Sequence, residues 1–149
     1  MDKILLLNGP NLNLLGQREP SIYGSTTLGE IQDELKKQAQ AAGYALEARQ
    51  SNAEGDLITW IQHAPAASFT CILLNAGGLT HTSVSLRDAV SGVPIPTIEI
   101  HMSNIYSRES FRNQSLLSAV SMGTICGFGA YSYQLALHAA CYYLKSGEK

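Results

Sequence analysis

Arg18 and Tyr23 stand five positions apart in one polar stretch, and Glu99 and His101 stand two apart in another. Together they suit proton transfer. A free tyrosine hydroxyl ionises near pH 10, so only about one in a thousand is a phenolate at neutral pH. A guanidinium within about 4–6 Å favours the phenolate and lowers that value. Arg18 is the nearest source of such a field; the alternative is that Tyr23 only packs its segment, with its hydroxyl in water. Glu99 and His101 alternate on one strand, so both side chains point to one face and the carboxylate can orient or charge the imidazole. Pairs at i and i+2 are often structural, but a strand-end position favours a proton donor.

Further candidates surround these two pairs. His81 and Asp88 are seven apart in a helical pattern, two turns along one face, and Asn75, Ser103, Arg108 and Arg112 supply donors for a carboxylate and hydroxyls. The ligand they imply is compact, anionic and oxygen-rich. Asp88 could equally pair with Arg87. A metal site would need His81 or Asp88 as a third ligand beside Glu99 and His101, and no metal is expected. His63 and His138 lie in helical patterns away from these segments and read as structural.

Other chemistries lack their residues. The five lysines are Lys3, Lys36, Lys37, Lys145 and Lys149, at a strand start, on a helix and in the tail. Imine catalysis needs a desolvated lysine beside the substrate. The GxxxxGK[ST], HExxH and GxSxG signatures are missing. Gly127-Phe-Gly129 precedes the last helix rather than the first, so it is assigned to helix–sheet packing over nucleotide binding. Cys71, Cys126 and Cys141 are isolated in apolar runs without CxxC spacing, which argues for buried reduced thiols. With 10 Lys+Arg against 12 Asp+Glu there is no basic stripe for nucleic acid. The apolar run Ile4–Leu7 is too short for a membrane span or a signal-peptide core, so a cytoplasmic address is expected.

The elements that must position these groups are legible as apolar runs bounded by turn residues. Lys3–Asn8, Tyr44–Gln50, Phe69–Asn75, Thr97–His101 and Met122–Gly127 read as buried parallel strands. Helical patterns alternate with them. Thr27–Ala42 opens with the capping box Thr27-x-x-Glu30 and stops at Gly43; Gly55–Ala64 stops at Pro65; Thr80–Val90 stops at Gly92; Tyr131–Leu144 follows last. Right-handed crossovers then place helices on both faces of a five-stranded parallel sheet, an α/β, flavodoxin-like three-layer fold of order 2-1-3-4-5. One catalytic domain over residues 1–149 is expected. Ligands of such sheets bind beyond the strands' carboxyl ends, between strands one and three. The polar segments 8–24, 75–83 and 99–112 follow strands one, three and four. The first connection, residues 9–26, is long for a βα loop and reads as a lid or binding segment, since Leu12, Leu14, Leu15 and Ile22 are too apolar for open solvent.

These blocks resemble type II 3-dehydroquinate dehydratase, nearly end to end from Ile4 to Leu144. The matching motifs are NGPNLNLLGQREPSIYG (8–24), QSNAEG (50–55), NAGGLTHTSVSLRDA (75–89), EIHMSNIYSRESFR (99–112) and ICGFGAYSYQLAL (125–137). The resemblance implies a hydro-lyase of the shikimate or quinate pathways, acting on 3-dehydroquinate without metal or Schiff base. Tyr23 would remove the proton beside the ketone to give an enolate, Arg18 would favour the ionised tyrosine, Asn11 would hold a water against the enolate oxygen, and His101 would protonate the leaving hydroxyl. Asn75, the Met102 backbone and Ser103 would hold the carboxylate; His81 and Arg112 would hold ring hydroxyls; Asp88 would reach in from a neighbouring subunit. The family forms trimers, usually four in a dodecamer. Two departures stand out: Leu79 replaces a common aromatic, and Asn113-Gln-Ser-Leu116 replaces an HHSY-like segment. Both are expected to bear on subunit packing and affinity rather than on a catalytic position. The competing class is a catalytically inactive flavodoxin-like binding or scaffolding module.

Overall fold

The computed structural model describes residues 1–17, 21 and 24–147. Five strands, β1 (Asp2–Asn8), β2 (Tyr44–Gln50), β3 (Phe69–Asn75), β4 (Thr97–His101) and β5 (Gly123–Cys126), form one parallel sheet of order β2-β1-β3-β4-β5. The expected order is the one observed. Among the described residues the α-helices are α1 (Leu28–Ala41), α2 (Glu54–His63), α3 (Val84–Ser91) and α4 (Tyr131–Ser146). The last strand is shorter than expected, because Met122 and Gly127 flank it.

The side-chain alternation of β1 separates two cores. Ile4 and Leu6 pack with α1 and α4, while Leu5 and Leu7 pack with α2 and α3; all four are fully buried. A strand buried on both faces favours an unbroken apolar run, as in Ile4–Leu7 of β1 and Cys71–Leu74 of β3. At α1 the expected capping box is present: Thr27 Oγ1 accepts from the Glu30 amide at 3.2 Å and Glu30 Oε1 accepts from the Thr27 amide at 3.2 Å.

The helix expected over Thr80–Val90 is broken. Gly77–His81 forms a 3-10 turn, and α3 starts afresh where the Ser83 hydroxyl accepts from the Leu86 amide at 2.9 Å. The restart places His81 and Asp88 on different elements, not on one helix face. α2 begins one residue earlier than expected, at Glu54. Of the cysteines only Cys71 is fully buried, its thiol pKa pushed up to about 12, chiefly by burial; Cys126 and Cys141 are half-buried, and all three are free thiols.

Candidate active site

The loops after β1 and β3 meet at the strand-order reversal, and two glycines allow the approach. A Cβ on Gly9 would lie 2.5 Å from the Ala76 carbonyl oxygen, and one on Gly77 would lie 2.9 Å from that of Pro10. Gly77 also has a φ of +59°, a left-handed conformation costly for other residues. The Gly9 amide donates to the Asn75 carbonyl at 2.8 Å, joining the loops. Asn11 itself is left-handed, at φ 71°, and its amide donates to Asn52 Oδ1 at 2.9 Å. Leu12 and Leu15 are buried beneath this loop, as their apolarity suggested, but Leu14 is 38% exposed. Ile22 lies outside the described residues.

Beyond the ends of β1, β3 and β4 is a cleft lined by Asn11, Asn75, His81, His101, Met102, Ser103, Arg108 and Arg112, with Pro10, Leu12, Gly77, Gly78 and Ile105. Eight of the sequence candidates thus share one cavity. Glu99 sits behind them, fully buried, with its carboxylate accepting from His101 Nε2. Its other donors are the hydroxyls of Ser115 (2.5 Å), Ser118 (2.6 Å) and Thr124 (3.0 Å). Burial alone would raise its pKa, but these hydrogen bonds, led by His101, outweigh it and lower the value to about 2. The carboxylate is therefore ionised throughout the neutral range.

His81 stacks near His101, ring centroids 6.4 Å apart and planes 23° from parallel. Its Nδ1 donates to the Gln114 carbonyl at 2.7 Å, so in the neutral ring Nε2 is an acceptor for a ligand hydroxyl. Arg108 Nη1 donates to Ser103 Oγ at 3.4 Å, while Glu109 lies within ion-pair reach of both Arg108 (3.6 Å) and Arg112 (3.2 Å). The two guanidiniums, with the serine hydroxyl at the carboxyl end of β4, make this wall a receptor for negative charge.

Asn75 is fixed from behind. Its Nδ2 donates to the Tyr133 hydroxyl at 2.8 Å, which donates to Asn8 Oδ1 at 2.6 Å; the Gly77 amide donates to Asn75 Oδ1 at 3.2 Å. Burial pushes the Tyr133 phenol well above its ordinary pKa, so this tyrosine is a neutral donor rather than a base.

Three candidates are not brought into the cleft by the described residues. Asp88 faces a separate hollow beside Ile58, Gln62 and Ser85, with its side chain 64% exposed and paired to Arg87 at 3.1 Å. Arg18 and Tyr23 lie outside the described residues. A metal site would need a third ligand beside Glu99 and His101, and no group of three His, Cys, Asp or Glu that could hold an ion occurs among the described residues. Sequence reasoning missed Ser115, Ser118, Thr124, Gln114 and Tyr133. In the 113–116 segment Gln114 meets His81 through its backbone carbonyl, which any residue supplies, and Ser115, shared with the HHSY-like pattern, bonds Glu99. Leu116 N–H donates to the Thr80 carbonyl at 2.9 Å, tying that segment against the back of the cleft. Only the serine of the HHSY-like pattern hinted at this.

The family model described as class II dehydroquinase matches residues 2–141. The chain is 58% identical over 142 residues to the 3-dehydroquinate dehydratase of Prochlorococcus marinus (strain NATL1A), covering 95% of this chain and 97% of that one. Among solved structures it resembles the type II dehydroquinase from Propionibacterium acnes, with a TM-score of 0.91, 38% identity, and coverage of 95% of this chain and 97% of that one. It also resembles the type II dehydroquinase from Butyrivibrio crossotus DSM 2876, with a TM-score of 0.91, 39% identity, and coverage of 93% and 96%.

Proposed function

This chain belongs to the class II dehydroquinase family, and we propose from its cleft how it performs that family's reaction. It converts 3-dehydroquinate to 3-dehydroshikimate and water. The observation that carries the mechanism is the buried, ionised Glu99 bonded to His101 at the wall of an arginine-lined cleft. Glu99 accepts a hydrogen bond from His101 Nε2, which orients the ring and leaves Nδ1 as the nitrogen able to deliver a proton. His101 is then the acid that protonates the departing hydroxyl.

Tyr23 is the base that removes the proton beside the ketone, and Arg18 favours its phenolate. Their support is the shared motif and the physical chemistry of a tyrosine beside a guanidinium. Tyr133 is not a rival base, since burial holds its proton. No described lysine lines the cleft, which favours an enolate path over an imine. Asn11 holds water against the enolate oxygen, where developing charge needs a preorganised donor. Asn75, the Met102 amide and Ser103 hold the substrate carboxylate, with Arg108 adding positive charge at Ser103. His81 and Arg112 bind the ring hydroxyls.

Asp88 acts on a neighbouring subunit's cleft; its exposure on α3, remote from the cleft of its own chain, supports this reading. Phe111, Phe128, Tyr106 and Tyr131 are each more than half exposed, the kind of surface an assembly covers. We read that assembly as a trimer, four of which make a dodecamer. No described helix is long and apolar enough to cross a membrane; a cytoplasmic place in the shikimate pathway accords with a biosynthetic family, and no cofactor is required.

The test is direct. Purified protein mixed with 3-dehydroquinate should generate the ultraviolet absorbance of a conjugated enone, at a rate unaffected by borohydride pretreatment or EDTA. No rise in absorbance would overturn the activity, and inhibition by borohydride would overturn the enolate path in favour of an imine.

A further inference from the structure

Glu99 has four acceptor sites, and four donors occupy them. Oε2 accepts from His101 Nε2 and Ser115 Oγ, and Oε1 accepts from Ser118 Oγ and Thr124 Oγ1. The direction of these bonds is not arbitrary. Ser115 Oγ accepts from the amides of Leu117 and Ser118, both at 3.1 Å, which uses its lone pairs and leaves its single proton for Glu99. A hydroxyl so committed cannot accept a proton from a neutral carboxyl. Thr124 is delivered by sheet register, since it pairs directly with Glu99 across β4 and β5. Ser115 and Ser118 arrive on the loop that leads into β5, anchored by the fully buried Leu117.

We propose that Ser115, Ser118 and Thr124 are positioning residues: a three-hydroxyl clamp that holds Glu99 as an acceptor-only carboxylate, so that His101 keeps its Nε2 proton on Glu99 and works through Nδ1. The alternative use of these hydroxyls, simply fastening loop to strand, would not require every acceptor of a buried carboxylate to be filled. Nor would it require the Ser115 proton to be forced toward it. The clamp does its work before substrate arrives. It rests on the reading of His101 as the proton donor, and the experiment separates the two.

Ser115→Ala and Thr124→Val each remove one donor. Thr124→Val is the cleaner change, because the Thr124 hydroxyl has side-chain partners only. Full-length protein labelled with 13C at glutamate carboxyls, with Glu99 assigned by Glu99→Gln, reports the Glu99 titration directly. Burial then opposes the charge with fewer hydrogen bonds, so the titration midpoint should rise by about one to two pH units per hydroxyl removed. At neutral pH Glu99 stays ionised, and kcat should fall about tenfold through the loosened orientation of the Glu99–His101 pair, a fraction of the roughly 10²–10⁴-fold worth of a whole general acid. KM should stay within about twofold, because none of the three hydroxyls lines the cleft. Thr124→Ser, which keeps the hydroxyl, should retain both the titration and kcat. A Glu99 midpoint unmoved in both folded variants, or an unmoved kcat, overturns the clamp. If His101→Ala keeps normal kcat, the proton-donor reading fails instead, while the carboxyl titration still judges whether the hydroxyls hold Glu99.

Discussion

Asn75 reaches the cleft with its amide already bonded, at 2.8 Å, to the hydroxyl of Tyr133 on α4, fifty-eight residues away. The same hydroxyl donates onward to Asn8 at 2.6 Å, so one phenol sets two asparagines at the ends of neighbouring strands. Among the described residues Asn8 Nδ2 already has no partner there.

Tyr133→Phe should leave Asn8 Oδ1 and one Asn75 N–H unsatisfied in a dry site. The cost expected is about 1–3 kcal/mol, read from denaturant midpoints. With Asn75 free to turn, KM for 3-dehydroquinate should rise several-fold while the pH profile of kcat keeps its shape, since Tyr133 carries no catalytic proton. A shifted profile would contradict that role.

Acid stability should depend on Glu99. Its pKa drops from 4.5 to about 2 in the folded protein. The unfolded chain therefore binds the proton first as pH falls. The stabilisation is fully present above about pH 4.5 and is lost progressively as pH falls toward 2, by roughly 3 kcal/mol at most. Thermal melts of Glu99→Gln should lack this part of the pH dependence between pH 5 and 3. A slope equal to that of the parent would show that Glu99 is not the group responsible.

The two glycines that let the loops touch should be intolerant of a methyl group. Gly77→Ala combines a left-handed backbone with a 2.9 Å approach to the Pro10 carbonyl oxygen, and Gly9→Ala would meet the Ala76 carbonyl oxygen at 2.5 Å. Each should lose about 2 kcal/mol or more, together with kcat/KM. Gly55→Ala is the contrast: it lies in α2 with open space around it, and it should gain about 0.5–1 kcal/mol in the same melts.

Tyr23→Phe removes the proposed base while keeping its ring. The enone assay should show kcat reduced about 10²–10⁴-fold with KM nearly unchanged. Near-normal turnover would take the base role away from Tyr23 without touching that of His101.

The amino-acid sequence by itself determined the alternation of strands and helices, because short apolar runs such as Ile4–Leu7 bounded by turn residues suit strands buried on both faces, and Thr27 with Glu30 can close a cap locally. It also determined the Glu99–His101 pairing, since i and i+2 on a strand share a face whatever surrounds them. Five strands in alternation with helices suggested the flavodoxin-like order that is observed, and with it the end of the sheet where Asn75, Ser103, Arg108 and Arg112 meet. What surrounds those residues was decided only in three dimensions. The stretch Thr80–Val90 splits into a 3-10 turn and a helix that restarts where the Ser83 hydroxyl takes the Leu86 amide, and Asp88 on that helix faces a hollow of its own. Ser115, Ser118 and Thr124 carry no spacing that announces a carboxylate; they meet Glu99 because a buried charge must collect donors from whichever segments tertiary packing brings within reach.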